Sequence, residues 1–598
     1  MEVLRPPRPR PVLTVGVTGH RRLEDSAAKA LEISIATVLH ELGAACHDVV
    51  RKHSTAFDGA PFDPILLSAL AEGADQIAAE VALEQGWTLN AVLPFPLEVY
   101  ARDFEGAAAE RFRGLLARAS HWWSLPPSGE RADEGYALVG QVTAAQSDLL
   151  IAVWDGYDAR GLGGTADVVE YAIRRGVPVI WVRADAQAGS TIMWSGFDNL
   201  SPALLDRMSA PQRHCDAARL LEVATRLLAP PRAPEDRMSL RLFFGERQRL
   251  FRLRPEYPLM LALTGTRPMS RSQFRVQPYA HAAKTEWAEF RKGIGTSAES
   301  QAGLDALELA YGWSDALATH YAQTYRGGLV FNYIAAGTSV LLALTGLLVG
   351  HQMKVVLGVG ELVSIGALII NTTYGGRLNW HRRWLDYRYL AERLRPLRSL
   401  RLLGAAIPGF SLSPTGVTKW TDWYAQALWR QLPAPAALSS AEEVDLLAEQ
   451  VALHELDSQI AYNHSNAKRM HHLDHRLHQV GTALFYLAIL VGIYGLVGHS
   501  LHLDIPHLSG TMLTVISAGL PTIGSALFGI RGHADFSGAA GRSEATAERL
   551  QILAKRLRSH PMDLPTAARA AEDSAATMLK DLDEWHVSYR HRKLAIPS

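Results

Sequence analysis

Residues 328–350 read GLVFNYIAAGTSVLLALTGLLVG, 23 positions without a Lys, Arg, Asp or Glu. At about 1.5 Å per residue such a helix reaches roughly 35 Å, enough to cross a hydrocarbon core of about 30 Å. Residues 355–375 follow after only His351 to Lys354 and hold one ionisable side chain, Glu361, so the two stretches predict a helical hairpin. The pattern recurs at 480–498 and 508–530, neither of which carries a formal charge, joined by HSLHLDIPH. Four such stretches in two hairpins predict an all-α membrane region with four transmembrane helices.

Lys and Arg near span ends tend to stay in the cytoplasm, and here they crowd one side. Arg377, Arg382, Arg383, Arg388, Arg393 and Arg395 follow the second span, Lys468, Arg469 and Arg476 precede the third, and Arg531 and Arg542 follow the fourth. The two hairpin tips share a single lysine, Lys354. The expected topology is a multi-pass protein of the inner, cytoplasmic membrane with both termini inside. Residues 1–10 are rich in Pro and Arg and lack the apolar stretch of a signal peptide, which agrees.

The hairpins look like copies. Tyr389-Leu-Ala-Glu-Arg-Leu-Arg395 follows the first and Ala545-Thr-Ala-Glu-Arg-Leu-Gln551 the second, which points to tandem duplication. Glycines within the spans, such as Gly346 and Gly350 or Gly519, Gly524 and Gly529, allow close helix approach, either within one chain or in the expected homo-oligomer. Glu361, the one carboxylate inside a span, reads either as a pore or mouth residue or as an interfacial one.

The whole chain, 598 residues, is too long for one core. Its 60 basic and 60 acidic residues balance, so no global field favours nucleic acid, and direct nucleic-acid binding is not expected. Two cysteines, Cys46 and Cys215, supply neither a disulfide framework nor a thiolate metal site. From Val12 the chain alternates apolar runs (VLTVGVTG, DPILLSAL, TLNAVLPF, DLLIAVWDG, VPVIWVRA) with helical patterns. Continuous apolarity of that kind predicts a doubly wound parallel sheet covered on both faces, with its ligand at the carboxyl ends of the strands. The expected organisation is a Pro/Arg-rich tail (1–11), this α/β domain (12–232), a partly helical connecting region (233–325), a two-helix module (326–405), a cytosolic connector (406–465), a second two-helix module (466–560) and a helical cytosolic tail (561–598).

Three strand-to-helix junctions have the chemistry for a ligand site. The first, Gly16-Val-Thr-Gly-His-Arg-Arg22, offers Gly16, Thr18, Gly19, His20 and Arg21, with Arg21 suited to a bidentate phosphate contact. The second, Leu70-Ala-Glu-Gly-Ala-Asp-Gln76, offers Glu72, Gly73, Ala74 and Asp75. The third runs from Asp155 and Gly156 to Gly163, Gly164 and Thr165, where glycines admit close backbone approach and the next helix presents free amides to an anion.

In this order, a Gly-His-Arg turn, an Ala-Glu-Gly-Ala-Asp turn and a Gly-Gly-Thr turn resemble the SLOG superfamily over roughly residues 12 to 185. These are Rossmann-like modules related to the DNA-processing Smf proteins and the LOG phosphoribohydrolases. The hairpins, with Trp384-Leu-Asp-Tyr-Arg-Tyr-Leu-Ala-Glu-Arg-Leu394 after the first, look like SLATT two-helix membrane effectors of bacterial conflict loci. The resemblance implies a cytosolic domain that binds a nucleotide or nucleotide derivative, needs no further cofactor, and controls a pore-forming or membrane-perturbing region, with a role in antiphage defence. It also implies an alternative, a membrane-anchored enzyme acting on nucleoside or nucleotide N-glycosidic bonds through Asp167 or Glu170. Neither carboxylate falls at the family interval, and Asp167 also reads as a first-turn carboxylate favoured by the helix dipole.

His464, His471, His475 and His478 share a helical face before the third span, but no distant ligand completes a metal site and none is assigned. Trp380, Trp384, Tyr387 and Tyr389 read as interfacial aromatics beside lipid. Residues 258–267, PLMLALTGTR, predict an extra strand or buried hairpin without a site.

Overall fold

The computed structural model describes every residue except 1–4, 24, 127–131, 160, 185–188, 250, 295–297, 408–417, 434–443, 446–448, 450–452, 501–508, 560–562, 590–593, 595 and 597–598. The tip between the third and fourth expected spans and the first position of the fourth therefore lie outside the described residues.

The N-terminal part is built on an eight-stranded sheet. Its strands are β1 (Val12–Gly19), β2 (Asp63–Ser68), β3 (Thr88–Leu93), β4 (His121–Ser124), β5 (Leu149–Trp154), β6 (Val179–Arg183), β7 (Thr191–Met193) and β8 (Gln212–His214), in the order β4-β3-β2-β1-β5-β6-β7-β8. β1 to β6 are parallel, but β7 and β8 run antiparallel, so the sheet is mixed where the sequence predicts a parallel one. The link from Arg183 to Thr191 is seven residues, well short of the dozen or so that a parallel crossover needs, so only an antiparallel neighbour is within its reach.

Alternation along the strands explains the layers. Leu149, Ile151 and Val153 face a core with the helices Asp25–Lys52, Ala74–Glu84, Gly106–Arg118 and Ala217–Leu228. Leu150, Ala152 and Trp154 face the helix Thr165–Arg174 on the other side. The opposite face of β2 to β4 has a different cover: Leu67, Val92 and Trp123 enter a core shared with Trp380–Leu394, Leu397–Leu402 and Trp420–Arg430. The sheet thus completes its second face with the helical region.

That region contains the long helices Ala298–Thr345, His351–Arg377 and His454–Ser500, followed by Gly510–Ala534 and Phe536–Arg558. Among the described residues, five helical stretches are long and apolar enough to cross a membrane. One of them, Ala27–Lys52, buries Leu31, Ile35, Leu39, Leu42 and Cys46 against the sheet, at the spacing of a crossover helix. The others instead expose large apolar side chains, among them Leu362, Val363, Ile370, Leu490 and Leu496, at 62–76%. Exposed belts of this kind mark a membrane protein.

The two hairpins share a construction that the sequence match only hints at. The second helix of each stops at a left-handed residue, Asn379 (φ 52°) or Asp535 (φ 48°), before a new helix begins. Ala391 and Ala547 each lie twelve positions beyond that break, and each buries its Ala and the Leu three residues later. The span glycines are used within the chain: a Cβ on Gly529 would lie 2.2 Å from the Tyr333 ring and one on Gly524 2.9 Å from Phe485. Asn371 Nδ2 donates to Gly328 O (3.0 Å) and Asn332 Oδ1 (2.8 Å), pinning the first hairpin.

Two expectations fail here. Trp380, Trp384, Tyr387 and Tyr389 are at most 9% exposed and belong to the protein core, because Trp380–Leu394 is packed on all sides. Residues 258–267 form no strand; Glu256–Leu263 is a helix, as its Leu-Met-Leu-Ala-Leu run of helix formers allows.

Candidate functional site

From β1 the chain moves to β2 on one side of the sheet and later returns to β5 on the other. A crevice opens where these paths diverge, at the carboxyl ends of β1 and β5. The His20 amide continues the ladder by donating to Val153 O at 3.1 Å. The Asp155 amide lies 3.1 Å from His20 Nε2, and Asp155 Oδ1 stands 3.4 Å from the same nitrogen. Gly73 brings the second junction against the first. Its φ is +88°, and a Cβ there would lie 2.5 Å from the carbonyl oxygens of both His20 and Arg21, so only glycine fits.

The crevice encloses about 770 Å³, within the range of small-molecule sites. Thr18, Gly19, His20, Arg21, Asp75, Asp155, Gly163, Gly164 and Thr165 line it. The other residues singled out in the sequence stand behind or beside it. Gly16 lets β1 pack on Ser147 and Thr143; Glu72 is exposed; Gly73 and Ala74 carry the turn; Gly156 (φ +91°) lies against the Trp181 ring. Asp167 is exposed and accepts the Gly163 amide at 3.1 Å, which fixes the glycine turn, while Glu170 pairs with Arg174 at 2.6 Å. Neither carboxylate lines the crevice.

Gly164 caps Thr165–Arg174 without a side-chain acceptor, so the first amides of this helix and its positive dipole end face the crevice at Thr165 and Ala166. Arg21 adds a full charge. It stacks on Tyr136 at 4.2 Å, and the Tyr136 hydroxyl donates to Asp103. Burial works against the Arg21 charge, but the Tyr136 hydrogen bond and the neighbouring Tyr100, Tyr136 and Asp103 outweigh it and raise the pKa. This holder of Arg21 was not legible in the sequence: Tyr136 comes from the helix Ala132–Ala145, and Asp103 follows β3.

Asp75 is the other electrostatic feature. It is 4% exposed, and burial pushes its carboxyl up to about 7 despite the Ser68 hydroxyl, the amides of Ala69 and Ala71, and the charge of Arg21. The turn that delivers these groups is strained. Leu70 is fully buried with φ +55°, an uncommon conformation for a bulky residue. Ser68 Oγ accepts the Leu70 amide (2.9 Å), Gln76 Nε2 donates to Leu70 O (3.3 Å) and Tyr100 OH donates to Ala69 O (3.2 Å), so side chains hold the turn in place.

Among the described residues no group of three His, Cys, Asp or Glu side chains could hold a metal ion. His464 contacts Gln551, His471 pairs with Glu544 and His478 approaches Arg531. Glu361 is partly exposed on His351–Arg377, away from the sheet crevice. No family model matches the chain, and no curated protein is similar to it.

Proposed function

We propose that the chain is a nucleotide-sensing membrane effector, in which the sheet crevice binds a phosphate-bearing nucleotide or derivative and biases a four-span membrane region toward a permeable state. The observation that carries the reading is the juxtaposition at the switch point of uncapped helix amides, Arg21 and a cavity of nucleotide size, in a chain whose long helices expose apolar belts. With Ala27–Lys52 packed on the sheet, four other stretches among the described residues are long and apolar enough to span, which supports the four-span reading, and the basic flanks favour both termini on the cytosolic side. The SLOG-like and SLATT-like resemblance supports the same reading, and a place in antiphage defence rests on that resemblance alone. Oligomerisation through the exposed helix faces belongs to the proposal.

Leakage of dye from vesicles carrying the full-length protein, measured with a panel of nucleotides, tests it. The expected outcome is leakage that rises with one nucleotide class and is lost in Arg21→Ala. Leakage indifferent to every nucleotide refutes the reading.

A second reading has its own observation. A carboxyl held near neutrality inside the crevice, Asp75, is what an N-glycosidic hydrolase or transferase needs as a general acid, whereas Asp167 and Glu170 are occupied elsewhere. Product analysis on NAD, AMP and deoxynucleosides separates the two, since a pure sensor returns them unaltered.

A further inference from the structure

A second cavity, of about 600 Å³, lies at the base of the long helices. Its wall draws on Ala298–Thr345, Trp380–Leu394, His454–Ser500 and Phe536–Arg558. Six arginines line it, Arg252, Arg267, Arg326, Arg388, Arg469 and Arg542, against one carboxylate, Glu392. Glu392 is already committed: it pairs with Arg388, and it accepts from Arg395 at 2.9 Å. Arg388 also meets Asp315 at 3.2 Å, and Arg542 stands 3.4 Å from Asp535.

The other four guanidinium groups, on Arg252, Arg267, Arg326 and Arg469, have no carboxylate within ion-pair distance among the described residues. Arg252 Nε is buried without a hydrogen-bond partner, and burial lowers the pKa of this side chain. Arg326 stacks on Tyr257 (5.4 Å) and Trp384 (4.9 Å), which orient the charge without neutralising it. Asn463, Asn466, Ser543 and Thr546 add neutral hydrogen-bonding groups to the same wall. Like charges gathered in a partly desolvated space repel one another, and a bound anion would both relieve the repulsion and satisfy the idle N–H donors.

We propose that this cavity is a binding site for a phosphate-bearing anion, separate from the sheet crevice. Arg326 lies two residues before the uncharged run that begins at Gly328, a few ångströms along the helix axis, so the cavity opens near the depth of a lipid headgroup. A headgroup phosphate and a free pyrophosphate share the required chemistry.

The test uses the full-length protein in a zwitterionic detergent and in nanodiscs, with its thermal midpoint as readout. One arm titrates pyrophosphate against chloride of equal ionic strength; the other compares phosphatidylglycerol with phosphatidylcholine discs. A saturable rise in midpoint in either arm is expected, weakened by added salt, and the arm that responds identifies the source. Measured in an Arg21→Ala background, so that the sheet crevice does not contribute to the response, Arg252→Gln with Arg469→Gln should raise the half-saturating concentration by about tenfold or more, while Arg469→Lys should leave it within about twofold. Should the double variant fail to fold, the exposed Arg267→Gln and the salt dependence of the unmodified protein still decide. No rise in either arm, or a response that ignores salt and these substitutions, overturns the proposal.

Discussion

The Asp75 carboxyl makes a contribution to stability that falls as pH rises, while buried His320, held down to about 3, makes one that rises, so Asp75→Asn should remove only the first and is read as a difference from wild type. The native carboxyl keeps its proton to about pH 7, whereas the unfolded one releases it near 3.8. Between these values this carboxyl binds more protons in the native state than in the unfolded one, so its contribution to the free energy of unfolding falls by about 1.36 kcal/mol per pH unit. The contribution is whole below the unfolded value and gone above the folded one, about 4 kcal/mol over the full interval. Roughly half of that is lost between about pH 5.5 and pH 7, a convenient window. Asparagine retains the shape and can accept the amides of Ala69 and Ala71 while its amide donates to Ser68, so the variant should be no less stable at about pH 8, and its stability relative to wild type should grow by about 2 kcal/mol from about pH 5.5 to pH 7. Chemical unfolding of the detergent-solubilised full chain, followed by tryptophan fluorescence at several pH values, measures both slopes. Parallel curves for wild type and Asp75→Asn would show that this carboxyl titrates like an exposed one, and the burial argument would be wrong.

Two further outcomes are expected. Gly73→Ala forces a Cβ to within 2.5 Å of the His20 and Arg21 carbonyls at φ +88°, so it should cost roughly 2 kcal/mol or more and weaken anion binding in the sheet crevice; an unchanged midpoint and unchanged binding would refute the close-approach argument. Arg175 reaches Glu572 at 2.6 Å, with the carboxylate only 13% exposed, and a double-mutant cycle of Arg175→Met and Glu572→Gln should return a coupling of about 1 kcal/mol in unfolding free energy, against a value near zero if the contact is incidental.

The five long apolar runs of the N-terminal part become β1, β2, β3, β5 and β6, because buried parallel strands leave a continuous signal. The missing strands have little to show: β4 is four residues, HWWS, and β7 and β8 are three each, with β8 reading QRH. Tertiary pairing, not local pattern, makes them strands. In the crevice, glycine turns and Arg21 were visible because they depend on local backbone needs. The support from Tyr136, Tyr100 and Asp103 was not, since the three converge only when the helix Ala132–Ala145 and the segment after β3 meet across the sheet. The same limit explains the aromatic residues after the first hairpin. Trp380, Trp384, Tyr387 and Tyr389 have the composition of a lipid interface, and only tertiary cover makes them core: Tyr321, Phe243 and Trp420 around Tyr387, Tyr325 on Trp384, Arg254 over Trp380 and Lys419 over Tyr389.

The shared core also gives the crevice a mechanical route to the helices. Ala132–Ala145 contributes Tyr136, Val139 and Thr143 to the crevice, and its Val139 and Val142 also pack in the core that holds Leu400 and Leu403. At its end Gln146 donates to Ala405 O (2.7 Å) and accepts from Arg401 (2.5 Å). Thr165–Arg174 runs from the crevice in parallel fashion. Its first turn faces the crevice, and just past its last turn Arg175 holds Glu572, which in turn accepts the Ala406 amide at 2.9 Å. Both helices therefore end on the same short segment, 401–406, which follows directly from the helices after the first hairpin. A ligand that draws the amides of Thr165 toward Arg21 changes the spacing of the two helices at one end. Close packing leaves little free volume to absorb that change, so the other end and segment 401–406 must shift with it or the ligand must bind less tightly. On the proposed reading, that competition is the free energy available for moving the helices in the membrane, and its size is bounded by the difference in ligand affinity between the two arrangements.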